Sequence, residues 1–434
     1  MRIIPFLLMS ILFSPQVSAQ DTVAIDALRA AYLATGKGNW DEALRLARPA
    51  GDVGLDLIEW DRLRAGKGEF AAAQEFLIRR PDWPGLPYLR KRSEVTIKPD
   101  ALAEDVIAFF DGQAPRTAQG SLRLAQALAK KGKTTAAISA VRWGWVSFNM
   151  DADLEQEFRE AFGADLATMH EARLDMLLWQ GAISSAKRML SSVSSDQVKL
   201  AKARLALQEN KNGVTAFLAK VPDSLKTDPG LAFDRFKWRL VRKKADGAIK
   251  LLLEKSATAV SLGRPEKWAE RRLSLARDLL WDGKYQKAYD VAASHHLDAS
   301  EDYAELEWLA GFIALRKLKN PKPALAHFKN HEAAVGSEIS LGRTHYWQGR
   351  TLHAMAQSEQ AQRAYTKGAK YQTSFYGLLA ADAAGLPMQR SLVGNVVDPG
   401  WRQAAFVESS VFKAALLLIS IDRSRFGVRF LTHL

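Results

Sequence analysis

His327 and His331 stand four residues apart, one helical turn, the spacing at which two imidazoles can grip one metal ion. The stretch has no His-Glu-x-x-His arrangement and no third ligand nearby, so both are expected to be exposed helix residues. The adjacent His295 and His296, and His345 with His353, make no stronger case. No glycine-rich phosphate loop, nucleophile elbow or paired-carboxylate motif stands out. The 12 tryptophans could stack on sugar rings if exposed. Trp179, Trp281 and Trp347 fall at helical spacing on apolar faces, where core packing is the expectation. No residue is therefore assigned to catalysis, to a cofactor or to a metal.

The elements that carry these residues read as helices throughout. From Arg343 to Ala384 the chain reads as a helical hairpin leading into a third helix. Ala361, Ala364, Tyr365, Gly368 and Ala369 recur at i, i+3, i+4, i+7 and i+8 and so share one helix face. Ser358 is the expected N-cap, and Gly349, Ala354 and Ala364 are small enough for close helix approach. The third helix is expected to bury Phe375, Leu378, Leu379 and Ala383, with Gly385 ending it and Pro387 preventing its continuation.

A shorter pattern repeats along the chain: a break, and five positions later an alanine inside the next apolar run. Gly38 with Ala43, Gly68 with Ala73, Gly132 with Ala137, Gly181 with Ala186 and Gly283 with Ala288 are copies. Lys243 with Ala248, Lys319 with Ala324 and Ala356 with Ala361 are weaker ones. The break turns the chain, and the alanine lets two helices touch. Gly38 to Gly68 is 30 residues, Gly283 to Lys319 is 36 and Lys319 to Ala356 is 37, helix-pair lengths typical of solenoid repeats. Other gaps are near 50 or 100, so the array is irregular. The only β-prone run, Val95-Thr96-Ile97, is too short to count as a strand. The expected fold is all-α, an irregular α-solenoid or superhelix of tetratricopeptide-like (TPR-like) helix pairs, a shape that binds or spaces partners.

At the N-terminus, Met1-Arg2 precedes an apolar run and Val17-Ser18-Ala19, the pattern of a secretory signal cleaved after Ala19. The run falls short of the ~20 residues that span a bilayer, so no transmembrane anchor is expected to remain after cleavage. With no cysteine, the exported chain must be held by its core. The formal charge of +13 becomes +12 when Arg2 leaves with the signal, and a basic surface calls for an anionic partner. For an exported protein, wall stem-peptide carboxylates or anionic lipid fit that role and nucleic acid does not.

Tyr346-Trp347-Gln348-Gly349-Arg350 and Ser374-Phe375-Tyr376-Gly377-Leu378-Leu379-Ala380 resemble the end of the superhelical region of soluble lytic murein transglycosylases. Phe-Tyr-Gly-x-Leu-Ala is the more specific of the two. Arg142-Trp143-Gly144-Trp145 and Arg173 to Trp179 resemble earlier parts of that region. The resemblance implies a superhelix, then a small linker domain, then a lysozyme-like catalytic domain. On that reading residues 1–19 are the signal peptide, 20–386 the α-superhelical domain, and 387–434 the start of the helical linker domain. Residues 426–434 begin an amphipathic helix and stop mid-stripe, so the chain is expected to be truncated before the catalytic domain.

Glu408, in Phe406-Val407-Glu408-Ser409-Ser410-Val411-Phe412, resembles the Glu-Ser setting of the family's catalytic acid. The glycine-rich segment that should follow is replaced by Lys413 to Ile419, an ordinary helical run, so Glu408 is expected to be a solvated helix residue. The resemblance implies a periplasmic protein of peptidoglycan turnover that binds glycan strands, with cell-wall or divisome proteins as further partners, and that is inactive alone. A second reading is an exported helical-repeat adaptor for a protein partner.

Overall fold

The computed structural model describes residues 19–389, 400 and 403–434. The expected signal peptide, apart from Ala19, and most of the junction between Pro387 and Pro399 lie outside the described residues. Among the described residues every regular element is helical and no strand occurs, as the periodicity requires. No helix among them is long and apolar enough to cross a membrane.

The repeated break has one physical form. Gly38, Gly132, Gly181 and Gly283 all take positive φ, between 69° and 78°, and Lys243, Lys319 and Ala356 do the same at 56° to 57°. This left-handed residue follows the end of a helix, and the next amide turns back to an unpaired carbonyl of the last turn. Asn39 N–H donates to Ala34 O at 3.0 Å, and Gln357 N–H to Leu352 O at 2.9 Å. In the second copy the left-handed residue is Gly66 rather than Gly68. The alanine five positions on is buried in all eight copies, from Ala43 at 0% to Ala361 at 2% exposure. Two further hairpins use the same device without advertising it: Asn210 and Asp422 are left-handed too. After Asp422 the fifth position is Gly427, where a Cβ would come within 2.5 Å of Ile419 Cγ1.

The chain forms two compact units. The first holds the described residues before His170 together with the C-terminal hairpin, Ser410–Ser420 and Ser424–Leu431. Sequence grouped 387–434 as the start of a separate domain. These two helices instead place Val411, Ala414, Ala415, Leu418 and Phe430 in one core with Leu28, Leu57, Trp60 and Trp83. Phe430 meets Trp60 at 5.3 Å and Trp83 at 5.2 Å, both edge to face. Trp83 Nε1–H donates to Ser410 Oγ at 2.9 Å, and Arg423 lies 3.9 Å over the Tyr32 ring. A short amphipathic pair cannot bury its stripe alone, and this core supplies the missing surface.

The second unit begins at His170 and runs on through helix pairs to the expected hairpin, seen as Glu338–Ala354, Ser358–Gly368 and Phe375–Ala383. Gly349 lets the Tyr365 ring lie on the helix backbone, since a Cβ there would be 2.4 Å from the ring. Two local expectations are corrected. Ser358 is the first helical residue and Gln357 occupies the cap without a side-chain bond, while Ser374 caps the third helix by accepting from Gly377 N–H at 3.1 Å. That helix also turns its other side inward. Gly377, Ala380 and Ala381 are buried, and Phe375 and Leu378 stand 69% and 41% exposed. The small residues win the interior because the backbone closes tightly there: a Cβ on Gly377 would lie 1.8 Å from Tyr371 O.

Candidate functional site

The histidines do not lie on an exposed face, which corrects the first expectation. His331 is fully buried and His327 nearly so, both in helix Pro321–Ala334. They serve different partners. His327 Nδ1 meets Glu307 Oε2 at 2.7 Å, and its Nε2 meets Tyr289 Oη at 3.1 Å. His295 joins from the turn after helix Tyr285–Ala293, with Nε2 3.0 Å from Glu307 Oε1. Leu297 N–H donates to His295 Nδ1, so the proton of a neutral His295 sits on Nε2 and points at the carboxylate. Asn330 Nδ2 donates to the same Glu307 at 3.2 Å. Burial alone would raise the Glu307 carboxyl, but hydrogen bonds from His295 and His327 pull it down to about 2. Glu307 is thus a permanent anion locking three helical segments, with its oxygens already occupied.

His331 Nδ1 donates to Thr344 Oγ1, whose own proton goes to Ser340 O, and Arg343 donates to His331 Nε2 at 3.2 Å. Burial, then the charge of Arg343, lowers its pKa to about 4, so the ring is neutral near pH 7. His345 is buried and stacked beside Tyr371, His296 reaches Ser256 O at 2.8 Å, and His353 is exposed. Among the described residues no group of three His, Asp or Glu is arranged to hold a metal. Sequence reasoning missed Glu307. Its one signal was an acid within the apolar run Leu306 to Ala310, a position that must find partners if buried.

Glu408 ends a short 3-10 turn, Ala405–Glu408, and 84% of its side chain is exposed. Its carboxylate accepts from Lys413 Nζ at 2.8 Å, which lowers its pKa. A general acid needs the reverse, a dry pocket that keeps the proton on. The serines beside it have structural work: Ser409 caps helix Ser410–Ser420 by accepting from Phe412 N–H, and Ser410 accepts from Trp83.

Of the three tryptophans expected in the core, Trp179 and Trp347 are buried and Trp281 is 93% exposed. Trp281 follows the buried Trp268 by 13 residues, roughly 220° around the helix, so it leaves the buried stripe. Trp179 forms one wall of a half-open cleft of about 250 Å³, with Gln208, Phe233, Asp234, Lys237 and Trp238. Beneath it Arg204, 1% exposed, bonds Asp234 Oδ2 and Asp175 Oδ1, each at 2.8 Å, and faces the Trp179 ring at 5.4 Å. Gly230 makes room: a Cβ there would lie 2.2 Å from Arg204 Nη1. Gln208 Nε2 donates to Leu178 O and Asp234 Oδ1. The Arg204 guanidinium beneath the cleft is thus compensated by Asp234 and Asp175, and Lys237 lies over the Phe233 ring at 5.5 Å.

No protein-family description matches the chain, and no curated protein does. Solved structures do. The crystal structure of the 70 kDa soluble lytic transglycosylase from Escherichia coli aligns with a TM-score of 0.51 and 16% identity, covering 94% of this chain. Its complex with bulgecin A aligns at 0.50, again with 16% identity and 94% of this chain. The likeness is one of fold. This chain spans 65% of the length of either structure.

Proposed function

We propose that the protein is the non-cleaving helical part of a periplasmic soluble lytic transglycosylase, acting in peptidoglycan turnover as a scaffold that holds the wall. The observation that carries this reading is the fold likeness over nearly the whole chain, 94% of it. Two features support it. The phrase Ser374 to Ala380 is a cap and a glycine contact required by the backbone, so it is tied to this fold. The surplus of 61 basic over 48 acidic residues suits a wall rich in stem-peptide carboxylates. The export signal belongs to the same proposal. Purified protein should pellet with isolated sacculi, and less so as salt rises, because screening shortens the reach of exposed charges. It should release no anhydro-muropeptides. Failure to pellet at low salt would favour an adaptor for a protein partner. Release that vanishes in Glu408→Gln would show that the polypeptide cleaves.

A further inference from the structure

Trp281 is 93% exposed at the last position of helix Pro265–Trp281, and its indole engages in no hydrogen bond or ring contact among the described residues. Trp143 is the contrast. It is 47% exposed, but its Nε1–H donates to Pro115 O at 3.1 Å and its ring stands edge to face with Phe148. The surroundings of Trp281 are strongly basic. Two hairpin turns meet at this end of the second unit, joined where Lys317 Nζ lies 5.1 Å over the Tyr285 ring. Residues 281–287 and 316–322 hold Lys284, Lys287, Arg316, Lys317, Lys319 and Lys322 against one acid, Asp282. All these cations are exposed, and of them Lys284 alone is in an ion pair among the described residues, with Asp282 at 3.2 Å.

Helix stability does not account for this charge. A helix N-terminus disfavours cations, yet Lys284 and Lys287 stand at the start of helix Tyr285–Ala293, and Lys319 and Lys322 flank the start of Pro321–Ala334. Neither helix has an acid in its first turn or a side-chain cap, so their open N–H groups add to the positive field. Helix Glu301–Phe312, between them in sequence, follows the usual rule, with Glu301 and Asp302 in its first turn.

We infer that this end of the second unit docks on the anionic face of a phospholipid bilayer. Tryptophan is enriched at membrane–water interfaces, where its ring meets the acyl boundary and its N–H the headgroups. Lipid phosphates answer the cations, each of which is worth about a fivefold gain in binding near an anionic surface. The shape decides against other anionic partners. A small ligand or a peptide side chain needs walls, and the exposed Trp281 supplies none; a yielding surface closes round it instead. Docking is peripheral, since no helix among the described residues is long and apolar enough to cross a membrane. The inference does not rest on wall binding, which asks only for a basic surplus over the whole chain.

The full chain would be sedimented with vesicles of phosphatidylglycerol mixed with phosphatidylcholine. Trp281→Ala should weaken binding about tenfold, and Arg316→Gln/Lys317→Gln/Lys322→Gln roughly a hundredfold, three cations at about fivefold each. Trp143→Ala should change nothing. The apolar N-terminal run is common to every variant, so the differences between variants carry the test. On phosphatidylcholine alone the triple variant should match wild type, since no lipid charge is there to lose. Circular dichroism of each variant checks folding, which an exposed side chain should not disturb. Equal binding of wild type and either variant to the mixed vesicles, or a hundredfold loss on both lipids, overturns the inference. Pelleting the variants with sacculi separates it from wall binding. If the triple variant pellets less with sacculi yet binds vesicles like wild type, the patch serves the wall and the inference falls. If wild type fails to pellet with sacculi yet binds vesicles through Trp281, the inference stands and the wall reading falls.

Discussion

Both units bury rings and charge, and one contact of each kind shows how differently the two respond to change. In the first, distant stretches of chain meet through rings: Trp60, Trp83 and Phe430 close edge to face, with Phe430 fully buried. In the second, neighbouring helix pairs are tied by buried charge. Arg204 is held between Asp234 and Asp175, and Glu307 between His295 and His327. Arg272, fully buried, meets no carboxylate among the described residues and bonds Val291 O and Ser256 Oγ at helix ends, and burial lowers its pKa to about 10. An apolar contact tolerates small shifts, since dispersion falls off gradually. A buried ion does not, because losing its partner leaves the full desolvation cost.

That contrast predicts its largest effect at Arg204. Arg204→Ala strands Asp234 and should destabilise the second unit by roughly 3–5 kcal/mol. Adding Asp234→Leu should restore part of the loss, because both charges are then gone. A double variant no better than the single one, in urea unfolding, would mean that Arg204 acts by packing on Trp179 instead. Phe430→Ala should come next, at about 3–4 kcal/mol, in the lower part of the range for such truncations because a short hairpin can settle into the space. The loss should appear in probes of the first unit, such as hydrogen exchange in helix Gly51–Arg64. Loss confined to the last hairpin would show that the ring contacts close nothing.

Acid should act on the charged locks. His331, with its pKa lowered to about 4, is a basic group whose neutral form the fold prefers. The unfolded chain therefore takes up protons first, and the His331 contribution is intact above pH 6.5 and lost as pH falls toward 4. The loss should be on the order of 3 kcal/mol. Glu307, at about 2, holds its full contribution above the unfolded value of 4.5 and loses it progressively as pH falls from there through 2. The difference between wild type and His331→Gln should therefore narrow between pH 6.5 and 4. A constant difference across that window would rule out His331 as the titrating group.

The smallest effect has the opposite sign. Ala356 holds a left-handed conformation, φ 57°, that disfavours any side chain. Ala356→Gly should stabilise by about 0.5–1 kcal/mol, after allowing for the greater freedom of glycine in the unfolded chain. A drop in the thermal midpoint would mean that the alanine methyl makes a contact worth more than the strain.

Much of this fold was legible because its signals are local. A break and an alanine five positions later are set by helix geometry, so Ala43 through Ala361 could be placed in helix contacts from spacing alone. The third helix of the hairpin defeated the same reading. Its hydrophobic face, Phe375 and Leu378, was visible, but which face goes inside was decided by how closely Tyr371 O approaches Gly377. The candidate sites were less legible still. Glu408 could be set aside from the residues that follow it. Glu307 and the buried histidines are brought together from residues 12 to 38 positions apart whose meeting no periodic pattern encodes.

Sequence by itself determined the helical character and most of the turns between paired helices, because each depends on backbone conformations and hydrogen bonds a few residues long. Tertiary structure alone decided that the last hairpin shares a core with the first helices, that His331 is buried and neutral, and that Trp143 faces solvent while Trp347 is packed away. Those outcomes turn on which surfaces are left unburied once neighbouring pairs have stacked, and that is a property of the assembled chain.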